Sequence, residues 1–128
     1  MKIIQLTDTH LMPPGIPANA VDPEARLRAA MADILGRHAD ADLLVITGDL
    51  CNHGDAEAYA LLREILAPAP FPVRLLLGNH DRRPEFVAAF PDHPRDANGY
   101  IQSVLDTDSG RLLFLDCLLY TSPSPRDS

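Results

Sequence analysis

Cysteine, positive charge and long apolar runs are all scarce in this 128-residue chain, and each scarcity closes off a class of function. Its two cysteines, Cys51 and Cys117, have neither a C-x-x-C spacing nor a disulfide-rich setting, so both are expected as free thiols. Eleven Lys and Arg stand against 18 Asp and Glu, a formal net charge of −7, and the basic residues are scattered. A nucleic-acid duplex or an anionic membrane surface would find no electrostatic footprint on such a chain. No apolar run reaches membrane-spanning length, and the start Met1-Lys-Ile-Ile-Gln5 reads as a strand without the apolar stretch of a signal peptide, so a cytoplasmic protein is expected. There is no internal repeat. The 46% apolar and 23% charged content is ordinary for a globular protein, and the length bounds it at one domain.

What the chain does have is three apolar runs that each end in oxygen or imidazole donors. Lys2 to Thr7 leads into Asp8-Thr9-His10, Leu43 to Thr47 into Gly48-Asp49, and Val73 to Leu77 into Gly78-Asn79-His80-Asp81. Between the first two lies a proline-rich loop, Met12 to Pro17, that cannot be helical. Asp22-Pro23 then reads as a helix cap and first turn, with Leu27, Ala30, Met31, Ile34 and Leu35 at helical spacing up to about His38. A second helix is expected after Asp55 as its cap, with Tyr59, Leu62, Ile65 and Leu66 on one face, and a short third from Pro84 to Ala89. The continuous apolar character of Leu43 to Thr47 suits a parallel strand buried on both faces with helices on each side. Tyr100 to Leu105 and Arg111 to Leu115 read as a hairpin around the connector Asp106 to Gly110. The fold class is therefore α/β: β-α-β-α-β followed by a β-hairpin.

Carboxyl ends of strands in open α/β sheets are where ligands sit. Asp8 and His10, at i and i+2, share one face of an extended backbone, and Asp49 at the tip of the central strand offers two oxygens that could bridge two ions. Asn79 offers a neutral carbonyl oxygen. His80 points differently and is free to orient a phosphate or protonate a leaving oxygen, with Asp81 near enough to fix its tautomer or cap the next helix. Each motif alone also fits a plain turn or cap; three of them at successive strand ends, with room for crossover helices between, favour a metal site. His38 reads as a helix-end cation, His53 as a solvated loop residue, and Met12, Met31, Phe71, Phe86, Phe90 and Tyr100 as packing.

The blocks Asp8-Thr-His10, Gly48-Asp49 and Gly78-Asn79-His80-Asp81 match the D-x-H, G-D and G-N-H-[DE] motifs of the calcineurin-like metallophosphoesterases, and the chain resembles that family. Their context is most similar to the bacterial cyclic-nucleotide phosphodiesterases. The serine/threonine phosphatases fit less well, since Gly48 to Gly54 reads Gly-Asp-Leu-Cys-Asn-His-Gly and Asp81 stands where they have Glu. The resemblance implies the amino-terminal part of an α/β/β/α sandwich over residues 1–118. It implies two divalent ions of Fe, Mn or Zn type, held by Asp8 and His10 on one, Asp49 bridging and Asn79 on the other, with His80 as the catalytic residue at the phosphate. The implied reaction is hydrolysis of a small phosphodiester, cyclic nucleotides first, by metal-hydroxide attack on phosphorus; homodimer formation of a full-length protein stays open. The family also uses a later single histidine and a G-H-x-H block, whereas after His80 only His93 follows. Residues 1–118 are thus expected as a domain truncated on its C-terminal side, and 119–128 as a disordered, non-native tail. A non-catalytic metal-binding half-domain and a phosphomonoesterase of the same family are the alternatives.

Overall fold

The computed structural model describes residues 1–18 and 21–115; Cys117 and the expected tail at 119–128 lie outside the described residues. In chain order the elements are β1 (Ile3–Thr7), α1 (Pro23–Arg37), β2 (Leu43–Thr47), α2 (Ala56–Leu66), β3 (Val73–Leu76), α3 (Arg83–Ala89), β4 (Ser103–Thr107) and β5 (Gly110–Phe114). β1, β2 and β3 form a parallel sheet with β2 in the middle, in register Ile4↔Leu44 and Ile46↔Leu75, so all three carboxyl ends share one rim.

α1 begins as its sequence dictates: Asp22 Oδ1 accepts from the Ala25 amide at 3.1 Å, and Pro23, lacking an N–H, takes a position where none is needed. Leu27, Met31 and Ile34 are buried from it. At α2 the expected cap is different in kind. Asp55 occupies the N-cap with an extended backbone, but its side chain makes no capping bond; its main-chain carbonyl accepts from Ala58 and Tyr59 at 3.0 and 3.1 Å.

β2 is covered on both faces, though not by helices on both. Leu44 and Ile46 pack with the helices in the main core, while Leu43 and Val45 meet Phe114, Leu105 and Leu112 of the β4–β5 hairpin. Four adjacent strand residues, Leu43 to Ile46, are thereby buried, each contributing roughly 1.5 to 3 kcal/mol relative to exposure. A hairpin supplies the second layer because alternate residues of β5, Leu112 and Phe114, turn one apolar edge onto the sheet. Its first strand lies further along than the sequence suggests and its second one residue earlier: Thr107 pairs with Gly110, which shortens the turn to Asp108-Ser109, and the Thr107 hydroxyl donates to the Gly110 carbonyl at 2.7 Å. Among the described residues no helix is long and apolar enough to cross a membrane.

Candidate metal centre

The β1 and β2 chains stay paired beyond the strand ends. The amides of His10 and Leu11 donate to the carbonyls of Asp49 and Leu50 at 2.9 Å each, and Asn52 N–H returns to the Leu11 carbonyl at 2.8 Å. In this stitched segment Asp8, His10 and Asp49 have φ of 54°, 46° and 49°, a left-handed conformation that non-glycine residues adopt at a cost on the order of 1 to 3 kcal/mol each. The backbone there is not extended. Left-handed turns on either side of Thr9, and not strand alternation, bring Asp8 and His10 to one site.

One ligand atom from each of Asp8, His10 and Asp49 lies within 4.8 Å of the others. His10 Nε2 is 3.7 Å from Asp8 Oδ1 and 3.8 Å from Asp49 Oδ2. Those gaps are too long for hydrogen bonds, but donors that each sit about 2.0 to 2.2 Å from a shared ion stand about 3 to 4 Å apart. Two carboxylates and an imidazole nitrogen are also a donor set suited to a divalent transition metal. The residues present therefore fit a metal ion.

The third strand end closes on the same point. Asp49 Oδ1 accepts from the His80 amide at 2.9 Å, and a Cβ on Gly78 would overlap both the Asp49 amide and its carboxylate, so only glycine permits this approach. Asn79 lies between these two residues, exposed at the rim, and among the described residues its side chain has no partner. His80 packs its ring edge-on to His10, centroids 5.2 Å apart, and its Nδ1 is 3.0 Å from the Asn52 carbonyl oxygen. A carbonyl can only accept, so Nδ1 carries the proton and Nε2 the lone pair in the neutral ring.

Asp81 neither fixes the His80 tautomer nor caps α3. It is buried, 5% exposed, and its carboxylate takes four donors: Leu50 and Gly78 amides on Oδ2, the Cys51 amide and Tyr59 hydroxyl on Oδ1, all at 2.8 to 2.9 Å. Burial pushes its carboxyl above the usual range, and the donors oppose that. The inward turn of Asp81 ties the Asp49 loop to the Asn79-His80 turn and to α2. Burial likewise raises the Tyr59 phenol and the Cys51 thiol, each reinforced by Asp81, so Tyr59 stays a donor and Cys51 an inert thiol.

A cavity of about 460 Å³ opens beside Asp8 and His10, walled by Leu6, Val21 and Leu27 with Arg26 and Asn52 at its polar positions. His93 lies away from this rim, accepting from the Leu75 amide at 2.9 Å, and the buried Nδ1 of His38 has no hydrogen-bond partner. Two contributors escaped sequence reasoning. Tyr59 looked like core alone, and Asn52 carried no spacing signal beyond its place in the Gly48 to Gly54 loop.

A parallel sheet brings Asp8, His10 and Asp49 to one point at its strand ends, and residues 1–119 match the calcineurin-like phosphoesterases; the chain belongs to that family. It is similar to a probable cyclic nucleotide phosphodiesterase of Rhodopseudomonas palustris, 40% identical over 124 residues that cover 97% of this chain and 45% of that protein. A 3',5'-cyclic adenosine monophosphate phosphodiesterase of Pseudomonas aeruginosa is 26% identical over 115 residues, 89% of this chain and 40% of that protein. A probable glycerophosphodiester phosphodiesterase of Arcobacter nitrofigilis is 27% identical over 118 residues, 91% of this chain and 43% of that protein. The chain spans less than half the length of these relatives.

Proposed function

We propose that the protein is a cytoplasmic metal-dependent phosphodiesterase acting on cyclic nucleotides or related small phosphodiesters. The observation that carries this reading is the triad of Asp8, His10 and Asp49 ligand atoms within 4.8 Å, at a rim that Asn79 and His80 also reach. The names of the similar proteins favour a diester over a monoester substrate. The cavity of about 460 Å³ beside the triad is within the size range of small-molecule sites.

In this reading Asp8 and His10 would hold a first divalent ion, Asp49 would be shared between it and a second, and Asn79 would give the second a neutral oxygen. When bound, the ions, of Fe, Mn or Zn type, supply Lewis acidity at the phosphoryl group and a nucleophile at neutral pH. His80 keeps Nδ1 against the Asn52 carbonyl; once Nε2 has also taken up a proton, that N–H would hold the phosphate and pass the proton to the departing oxygen.

The test is Mn²⁺ titration of the full-length protein together with hydrolysis of cyclic AMP, an aryl phosphodiester and an aryl phosphomonoester. Asp49→Asn should bind neither ion tightly and lose most turnover, because a bridging carboxylate becomes a poorer neutral ligand. A loaded parent that hydrolyses no diester, or an Asp49→Asn variant with two ions and near-normal turnover, would overturn the reading.

A further inference from the structure

Asn52 presents two different oxygens to two different histidines. Its side-chain Oδ1 lies 3.1 Å from His10 Nδ1, and its main-chain oxygen lies 3.0 Å from His80 Nδ1. Both oxygens are acceptors, so both ring atoms carry protons, and each histidine is left with Nε2 as its lone-pair nitrogen. For His10 that is the atom facing Asp8 Oδ1 and Asp49 Oδ2 at 3.7 and 3.8 Å. The other end of the amide, Nδ2, lies 3.4 Å from His53 Nε2.

Asn52 is itself held on every side. Its own N–H donates to the Leu11 carbonyl at 2.8 Å, the preceding Cys51 amide is bound by Asp81, and at Gly54 an added Cβ would strike the Arg82 side chain and amide. A residue fixed this firmly can impose orientation on what it touches, which a mobile loop side chain cannot.

We propose that Asn52 is a positioning residue that sets the tautomer of both His10 and His80, the first through its side chain and the second through its main chain. The proposal rests on the metal-dependent reading above for its consequence, but its geometry can be tested without metal. The two roles are separable by mutation because only one of them uses an atom that substitution removes. Asn52→Ala frees His10 and leaves His80 held; Asn52→Asp restores an acceptor to His10, and a carboxylate partner strengthens imidazole as a ligand.

The experiment uses the full-length protein. In the metal-free parent at mildly alkaline pH, ¹⁵N NMR of the histidine rings should show Nδ1–H at both His10 and His80. In Asn52→Ala the His10 signals should move to a mixture of tautomers while those of His80 stay. Mn²⁺ affinity should fall about 10- to 100-fold in Asn52→Ala and return to at least the parent value in Asn52→Asp. An Nε2–H tautomer at His10 in the parent, unchanged Mn²⁺ affinity in Asn52→Ala, or a loss in Asn52→Asp as large as in Asn52→Ala would overturn the proposal. A parent that binds no Mn²⁺ yet shows both Nδ1–H signals would sink the metal reading and leave the tautomer assignment standing.

Discussion

His80 reaches the site by two independent routes, an imidazole against the Asn52 carbonyl and a main-chain N–H on Asp49 Oδ1. Replacing its ring leaves the second route intact, so His80→Ala should keep both ions while turnover falls by roughly 10²- to 10⁴-fold, the range of a lost general acid. Metal analysis beside kinetics decides it, and loss of an ion would make His80 a ligand. Gly78→Ala should do the reverse. Its new Cβ meets Asp49 main chain and carboxylate, which cannot both move without displacing a ligand, so Mn²⁺ affinity should drop along with about 1 to 3 kcal/mol of stability. Unaltered Mn²⁺ binding in Gly78→Ala would show that the approach of the two loops is immaterial. The identities of Asp8, His10 and Asp49 were legible because each follows an apolar run. Their left-handed backbone was not, since only tertiary pairing of the loops forces non-glycine residues to positive φ. Asn52 was hidden for another reason: half of its role belongs to a main-chain oxygen, which any residue has.

Between elements, Asp81 is the tie. Its two oxygens join the loop after β2, the turn after β3 and Tyr59 of α2, and the residue is buried. In Asp81→Asn one oxygen becomes an NH₂ that faces either the two amide donors of Leu50 and Gly78 or the Cys51 amide beside a Tyr59 hydroxyl that can turn to accept. The cost of those orphaned donors is tempered because the buried charge goes too, and a net loss of about 2 kcal/mol is expected, with weaker Mn²⁺ binding as the two ligand loops part. Urea unfolding checks it; an unchanged midpoint would mean the four bonds contribute nothing net. An acidic residue after Gly-Asn-His carries no local mark of burial, which is why its role could not be read in advance. The strands could be, to within a few residues, because unbroken apolar runs such as Leu43 to Ile46 admit few other conformations at that length. Which layer covers their second face could not, for that depends on where a hairpin some sixty residues later folds back, and Phe114 on Leu43 and Val45 is a contact no local pattern encodes.

At the scale of the whole molecule, pH is expected to act through His93. Burial holds its imidazole below the ordinary histidine value, with Arg74 and Arg95 pushing the same way and the Pro94 carbonyl pushing back. The neutral ring is fully used: Nε2 accepts from the Leu75 amide of β3 at 2.9 Å, Nδ1 faces the Pro94 carbonyl at 3.0 Å, and the ring meets Phe86 edge-on. Protonating Nε2 breaks the bond to β3 and places a charge among two arginines and an aromatic ring. Because the folded value lies below the unfolded one of about 6.5, the unfolded chain binds more protons in the interval between them. His93 therefore contributes stability that is fully present above about pH 6.5 and is lost as pH falls through the folded value. Carboxylates such as Asp40 and Asp96, held below their usual range by Lys2 and Gln102, act at lower pH, beneath about 4. His93→Gln keeps an acceptor for the Leu75 amide but cannot take up the proton, so it should flatten the decline between these windows while leaving stability near pH 7 within about 1 kcal/mol of the parent. Urea midpoints for parent and variant across the mildly acidic range measure the difference directly, and parallel declines in the two proteins would place the pH dependence elsewhere.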